Sequence, residues 1–433
     1  MKSIQFRNGF SRAAFAAAFI ASLPHVAFAQ DAAPPQDDAG QDEAIVVTGS
    51  RMARSGFDQP TPVTVFGAER AQNLGITNIA DGLNQLPSFR ASGSPSNVQA
   101  AGGNVVKHYR DLAFMGFVEV IRHLGTIMGN IRFCKNDIAS FKPDVVVFID
   151  YPGFNMRIAQ WAKLQGYKTA YYISPTVWAW KEKRVHHIHK YVDEMMVILP
   201  FEKAYYDKYG YKVSYVGHPL MEVMKKEEMK PSTLEKSAGK KIIALLPGSR
   251  TQEIRKLLPI MLECVAKYAD CECIIAQAPA QDAALYHEFT GDNPAVKLVQ
   301  HKTYDILKIA DAALVSSGTA TLETALLGVP QVVVYKINPL TYTLAKNLVK
   351  VKYISLVNLI LDRPAVKELI QDDCTVANVQ TALDDILHNN EVISTMKADY
   401  DTLKRMLHAD HNASELVAET VYRLALKSVQ NIL

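Results

Sequence analysis

Short unbroken apolar runs, each followed by a stretch of helical character, restrict the fold of this chain more than any other feature. Val145-Val146-Val147-Phe148-Ile149 precedes a helical pattern from Asn155 to Leu164, and Thr169 to Ile173 forms the next run. Ile242 to Leu246 precedes Thr251 to Tyr268, Ala312 to Val315 precedes Thr319 to Leu327, and Gln331 to Tyr335 is a further strand. Runs of this length without polar alternation suit strands covered on both faces, the condition of a parallel sheet. Their alternation with helices is the signature of βαβ units. The fold class is therefore α/β. At 433 residues two or three domains fit. A charged fraction of 21% against 48% hydrophobic is ordinary for a soluble globular protein. The net charge of +3 is too small for a nucleic-acid footprint. Five cysteines, all after residue 130, argue against a disulfide framework and for a reducing compartment.

The amino terminus points elsewhere. Lys2, Arg7 and Arg12 precede an apolar run from Ala13 to Leu23, and Ala27-Phe28-Ala29 offers a cleavage site, so residues 1–29 read as a signal peptide. An Asp, Ala, Pro and Gln-rich linker follows. Glu43-Ala44-Ile45-Val46-Val47-Thr48-Gly49-Ser50-Arg51, Pro60 to Phe66 and Ile76 to Pro87 come next. With the signal peptide, these segments resemble the start of a TonB-dependent outer-membrane receptor, including the opening of its plug, up to about residue 104. Such a receptor needs a barrel of alternating ten-residue strands, and nothing after residue 105 has that pattern. A Lys, Glu, Pro and Ser cluster between Met221 and Lys240 marks a domain boundary. The expected organisation is a leader fragment over 30–104, one Rossmann-like unit over 105–222, a second over 240–405, and a terminal helix, Ala413 to Ser428, packing back on the first.

Pro247-Gly248-Ser249-Arg250 lies between a buried strand and a helix. Gly permits close backbone approach, amides face outward at the helix start, and Arg adds a cation. The group suits a diphosphate or is a plain tight turn. Ser316-Ser317-Gly318-Thr319-Ala320-Thr321-Leu322-Glu323 repeats the arrangement, with Thr319 as a cap and Glu323 in the first turn. It is either a capping device or a site for phosphate and a ribose hydroxyl pair. Asp150, at the carboxyl end of a strand before Pro152-Gly153, is a general base or a turn former. Trp178, in Ser174 to Lys181, and His218, in Gly217-His218-Pro219, lie in loops at further strand ends and are acceptor or loop candidates.

The segments FIDYPGFN, SPTVWAWKEKRV, LPFEKAYYDKYG, VGHPL, LLPGSRTQEI, SSGTATLE and VKYISLVNLI occur in the order found in lipid-A-disaccharide synthases. Residues 105–425 resemble that family. The resemblance implies two Rossmann-like domains of glycosyltransferase B type and inverting transfer from UDP-2,3-diacylglucosamine to 2,3-diacylglucosamine 1-phosphate. It implies Asp150 on the base side and Gly248, Ser249 and Arg250 at the donor diphosphate. Ser317, Gly318, Thr319 and Glu323 are implied around the nucleotide, and Asn358 in the cleft. It implies work at the cytoplasmic face of the inner membrane, which the signal peptide contradicts. No DxD-like pair accompanies these turns, so helix termini and Arg250 are expected in place of a metal, and no cofactor is expected. Leu112 to Met128 mixes apolar residues with Arg110, Arg122 and His123, as a bilayer-facing or a core-facing helix does.

One departure stands out. The family's first strand and its Gly-Glu-Ala-Ser-Gly-Asp-like loop have no match, so the first domain is expected to lack its first βα unit. Loss of a central strand removes apolar area, at about 25 cal/mol per Å², on a scale that rivals a domain's net stability. The expectation is a chimeric chain with impaired activity. A receptor fragment and a UDP-sugar-binding pseudoenzyme are the alternatives. Cys271-Glu272-Cys273 is expected to turn its thiols to opposite faces of a strand, and His186, His187 and His189 to form a solvated or phosphate-facing basic surface.

Overall fold

The computed structural model describes residues 124–429, except 181, 292, 294, 339–341, 343–350 and 409–410, together with the strand Thr64–Phe66. The signal peptide, the linker, the rest of the plug-like fragment and most of the 112–128 segment lie outside the described residues.

Two sheets carry the chain. The first has the order β1-β2-β3-β4-β5. Its strands are β1 (Thr64–Phe66), β2 (Val145–Ile149), β3 (Lys168–Tyr172), β4 (Glu194–Val197) and β5 (Ser214–Tyr215). The helices are α1 (Leu124–Phe141), α2 (Pro152–Leu164), α3 (Val177–Trp180), α4 (Arg184–Tyr191), α5 (Pro200–Asp207) and α6 (Pro219–Glu228). Strands β2 to β5 are parallel and in chain order. Beside β2 runs β1, antiparallel, with Val65 opposite Val146. Thus residues 64–66 take up the β2 edge, and β2 is the first parallel strand among the described residues.

The second sheet has the order β11-β10-β9-β6-β7-β8, and every pairing in it is parallel. Its strands are β6 (Lys241–Leu246), β7 (Cys271–Gln277), β8 (Val296–Gln300), β9 (Ala312–Ser316), β10 (Gln331–Tyr335) and β11 (Lys367–Ile370). The helices are α7 (Thr251–Val265), α8 (Ala283–Thr290), α9 (Thr303–Ile309), α10 (Thr319–Leu326), α11 (Leu356–Leu361), α12 (Val376–His388), α13 (Asn390–Leu407) and α14 (Ala413–Val429). The chain winds outward from β6 to β8, then returns to begin β9 on the other side of β6. That is the doubly wound order, and its switch point lies between β6 and β9.

Strand alternation explains the layering. Val146, Phe148, Tyr171, Met195 and Val197 face a core built from α1, α2, α4 and α5. Val145, Val147, Ala170, Tyr172, Met196 and Val216 face Val417, Ala418 and Leu424 of α14. The terminal helix is therefore the second layer of the first sheet. Glu222 of α6 fixes its start, accepting from Ser414 N at 2.9 Å and from the Ser414 hydroxyl. Leu199, Leu220 and Met224, from the first unit and its exit helix, join the core under α7, α12 and α13.

Several sequence expectations need correction. Residues two apart on a strand share a face. Cys271 and Cys273 therefore point the same way, both into the core under α7. Burial pushes the Cys273 thiol up to about 12. Among the described residues no group of three or more His, Cys, Asp or Glu is placed to hold a metal ion. The histidines of α4 lie at the surface as expected, His186 and His189 exposed, and each also meets a ring: His186 meets Tyr209, His187 meets Tyr191, and His189 stacks on Tyr211 at 4.4 Å. The segment around Trp178 is a helical turn, α3, rather than an open loop. The break expected from residue 221 begins only after α6 ends at Glu228.

If α14 is the second layer of the first sheet, a charge on its buried face must unfold that layer. Val417 is 1% exposed and Tyr422 is 41% exposed. Val417→Asp is expected to cost about 3 kcal/mol or more, and Tyr422→Asp about 0.5 kcal/mol or less, read from urea midpoints.

Candidate active site at the carboxyl ends of two parallel sheets

The Pro247–Arg250 turn leaves β6, and the Ser316–Thr319 turn leaves β9. Leu246 pairs with Val315, so the two turns depart side by side at the switch point. Open α/β sheets bind ligands in the crevice outside this point.

In the first turn Gly248 has φ +112, a left-handed value natural only to glycine. The close approach it allows is to Glu253: an added Cβ would lie 2.5 Å from Glu253 Oε2. That carboxylate accepts from Ser249 N at 3.2 Å and from Arg250 Nη1 at 3.1 Å. The sequence expectation that the turn's amides face outward thus fails for Ser249, whose N–H is engaged by Glu253. The turn is also buttressed from the loop after β7. Gln281 Nε2 donates to Ser249 O at 2.9 Å, and its Oε1 accepts from Thr251 Oγ1 at 3.0 Å. Tyr335, at the end of β10, lies within reach of the pair. Burial and Glu253 push its phenol up while Arg250 pulls it down.

The second turn differs from expectation in its cap. Gly318 is the N-cap of α10, Thr319 is its first residue, and no side chain caps the helix. Space beside Gly318 is open. Ser317 is held in place, its N–H donating to Val334 O at 3.2 Å and its hydroxyl to Ile354 O at 3.0 Å. Glu323 lies beyond the first turn, is 7% exposed, and accepts from Tyr304 Oη at 2.8 Å. Burial raises its pKa, against that hydrogen bond.

Asn358 is held inside the fold behind the second turn. It is 1% exposed, and its amide is engaged on both sides. Nδ2 donates to Val366 O at 2.9 Å and to Glu368 Oε1 at 2.8 Å, while Oδ1 accepts from Val366 N at 2.9 Å. Glu368 in turn accepts from Ile354 N and Ser355 N. Asn358 therefore supports the strand-like segment that holds Ser317, one step behind the turn.

On the other sheet, Asp150 follows the last residue of β2. Asp150 and Tyr151 have φ +45 and +46, two consecutive left-handed residues without a glycine. Such residues cost about 1–3 kcal/mol each and persist where the surroundings hold them. Here Asp150 N donates to Tyr172 O at 2.9 Å. Its carbonyl accepts from Tyr171 Oη at 2.6 Å and from Asn155 Nδ2 at 2.8 Å. Pro152 and the buried Asn155 then start α2. The clamp ends the strand and fixes a half-buried carboxylate at its carboxyl edge.

Trp178 and His218 are both held by protein partners. The Trp178 indole packs edge-on to Phe201 at 4.9 Å and donates to Glu202 Oε1 at 3.2 Å. It anchors the first unit against the core of the second. Burial pushes the Glu202 carboxyl up to about 7, although Leu199 N, Trp178 and Ile198 N donate to it. His218 is the N-cap of α6, its Nδ1 accepting from Leu220 N at 3.2 Å. The proton of the neutral ring is therefore on Nε2. Burial pulls the pKa down to about 4.

A profile described as lipid-A-disaccharide synthetase matches residues 65–421. The chain belongs to the lipid-A-disaccharide synthetase family. A lipid-A-disaccharide synthase of Geobacter sulfurreducens is 35% identical over 363 residues, 82% of this chain and 94% of its own length. Two solved structures share the fold. The UDP co-structure of S. aureus MnaA has a TM-score of 0.56 at 12% identity, covering 80% of this chain and 94% of its own. The glycotransferase of kitacinnamycin has a TM-score of 0.50 at 13% identity, covering 80% and 96%.

A lipid-A-disaccharide synthetase is a glycosyltransferase, and the two Rossmann-like sheets are the glycosyltransferase B arrangement. The match opens at residue 65, upstream of residue 105, where the resemblance was expected to begin. Glu253, Gln281, Tyr304, Asn155 and Tyr171 went unmarked in the sequence. Only Glu253 left a local signal, three residues after Arg250 at the spacing of a capping box.

His218 yields a pH signature. Its folded pKa lies below the ordinary value, so the unfolded chain binds the proton first. Its stabilising effect is present above about pH 6.5 and is lost as pH falls toward 4. His218→Asn keeps an N-cap acceptor and is expected to flatten that stretch of the stability–pH curve, measured by thermal unfolding.

Proposed function

We propose that the chain transfers 2,3-diacylglucosamine from UDP to 2,3-diacylglucosamine 1-phosphate with inversion, at the cytoplasmic face of the inner membrane. The observation that carries this reading is the pairing of β6 with β9, which brings two strand-to-helix turns together at one switch point. Arg250 and the uncapped start of α10 supply positive potential for a diphosphate. Glu323, held by Tyr304, is the carboxylate for the ribose hydroxyls.

Asp150 takes the proton from the acceptor hydroxyl as that oxygen attacks the anomeric carbon opposite UDP. The bond to the diphosphate oxygen breaks, and its electron pair leaves with UDP, whose new charge falls on Arg250 and the α10 amides. The clamp on the Asp150 backbone fits a base that must not wander. His218 serves as a neutral donor through Nε2, since its ring stays uncharged down to about pH 4.

No helix among the described residues is long and apolar enough to cross a membrane. Met128, the end of the amphipathic 112–128 segment, is 58% exposed on α1 and fits a surface that meets the acyl chains of both substrates.

The test is UDP release by the full chain supplied with both lipid substrates. Asp150→Asn is expected to lower kcat about 10²- to 10⁴-fold with UDP binding retained. Arg250→Ala is expected to weaken UDP binding about tenfold or more. Activity that survives Asp150→Asn, or UDP-sugar conversion that needs no acceptor, overturns the assignment. Turnover in the range of full-length relatives overturns the expectation that the chain is impaired.

A further inference from the structure

We infer that Glu253 is a positioning residue of the donor site, acting through Arg250. The inference rests on the proposal that the diphosphate binds at the 247–250 turn.

Two hydrogen bonds and one steric fit converge on its carboxylate. Oε1 pairs with Arg250 Nη1 at 3.1 Å, Oε2 accepts from Ser249 N at 3.2 Å, and Oε2 fills the space where any side chain at residue 248 would begin. The pair is largely withdrawn from water, with 17% of the Arg250 side chain and 14% of the Glu253 side chain exposed. The left-handed Gly248 is what lets the carboxylate in. The turn is thus wrapped around an internal anion, and the guanidinium is docked on it.

An arginine on a mobile stem must surrender rotamer freedom when it binds a phosphate. One of its nitrogens already fixed to a carboxylate has surrendered that freedom beforehand, and the planar fork keeps the other N–H groups in a defined direction. A simple capping box would need only a hydrogen bond from the Arg250 backbone N–H to Glu253, the third residue of the helix. The ion pair to Arg250 and the excluded Cβ at residue 248 are not requirements of a cap. They are requirements of a fixed cation. Tyr335, at the end of β10, lies in the field of both groups.

The experiment is UDP binding by calorimetry to the full chain, with thermal unfolding run on each variant. Glu253→Gln keeps the shape and an acceptor for Ser249 N but removes the charge. It is expected to raise the Kd for UDP about tenfold, the size of one weakened charge-assisted contact, while the Tm stays close to that of the unchanged chain. In an Arg250→Ala background the same substitution is expected to have little further effect, because the contact it acts through is gone. Gly248→Ala, which must push the carboxylate aside, is expected to raise Kd by a similar factor. An unchanged or lowered Kd in Glu253→Gln overturns the inference, as does an effect that adds fully to Arg250→Ala. An unchanged chain that binds no UDP overturns the donor-site proposal and this inference together. UDP binding that depends on Arg250 but ignores Glu253 overturns this inference alone.

Discussion

Parallel pairing of β6 with β9 is the contact on which the candidate donor site depends. The two strands are separated in sequence by β7 and β8, yet Leu246 and Val315 lie opposite each other. Each strand is followed by a turn and a helix. Only because the strands are neighbours do Arg250 and the α10 amides approach one region of space. The chain reverses its winding direction there, the place where open α/β sheets take a ligand.

Much of the site is then held by carboxylates that face inward. Glu253 holds the 247–250 turn, and Glu368 holds residues 354 and 355, which in turn hold Ser317. Glu202 ties Trp178 to the start of α5, and Glu222 ties α14 to α6. A carboxylate accepts several N–H groups at once, which suits it to closing loops whose amides have no strand partner. The consequence for Asn358 is direct. It matches a motif residue, and its amide already has protein partners in Val366 and Glu368.

The first unit is built on another plan. Its parallel strands run in simple chain order, so the crossover helices gather on one face. The opposite face is left for α14, which arrives from the far end of the chain. Asp150 sits at the carboxyl edge of this sheet, its backbone clamped by Tyr171 and Asn155. Across the gap, Trp178, Phe201 and Leu199 bind the unit to the core of the other one. The described strand β1 lies antiparallel along β2.

The sequence by itself determined the α/β class, most strand cores and the two Gly-containing turns. These rest on local patterns, apolar run length and helix-breaking residues, which act over a few positions. The strand Val145–Ile149 and the strand Gln331–Tyr335 were legible to the residue. Strand alternation also fixes Cys271 and Cys273, two residues apart, on one face. Tertiary structure alone decided which turns became neighbours, which face α14 covers, and which polar side chains remain available to a ligand. Pairing between distant strands and the partners of Glu253, Asn358 and Trp178 depend on contacts across scores of residues, and a local pattern carries no record of them.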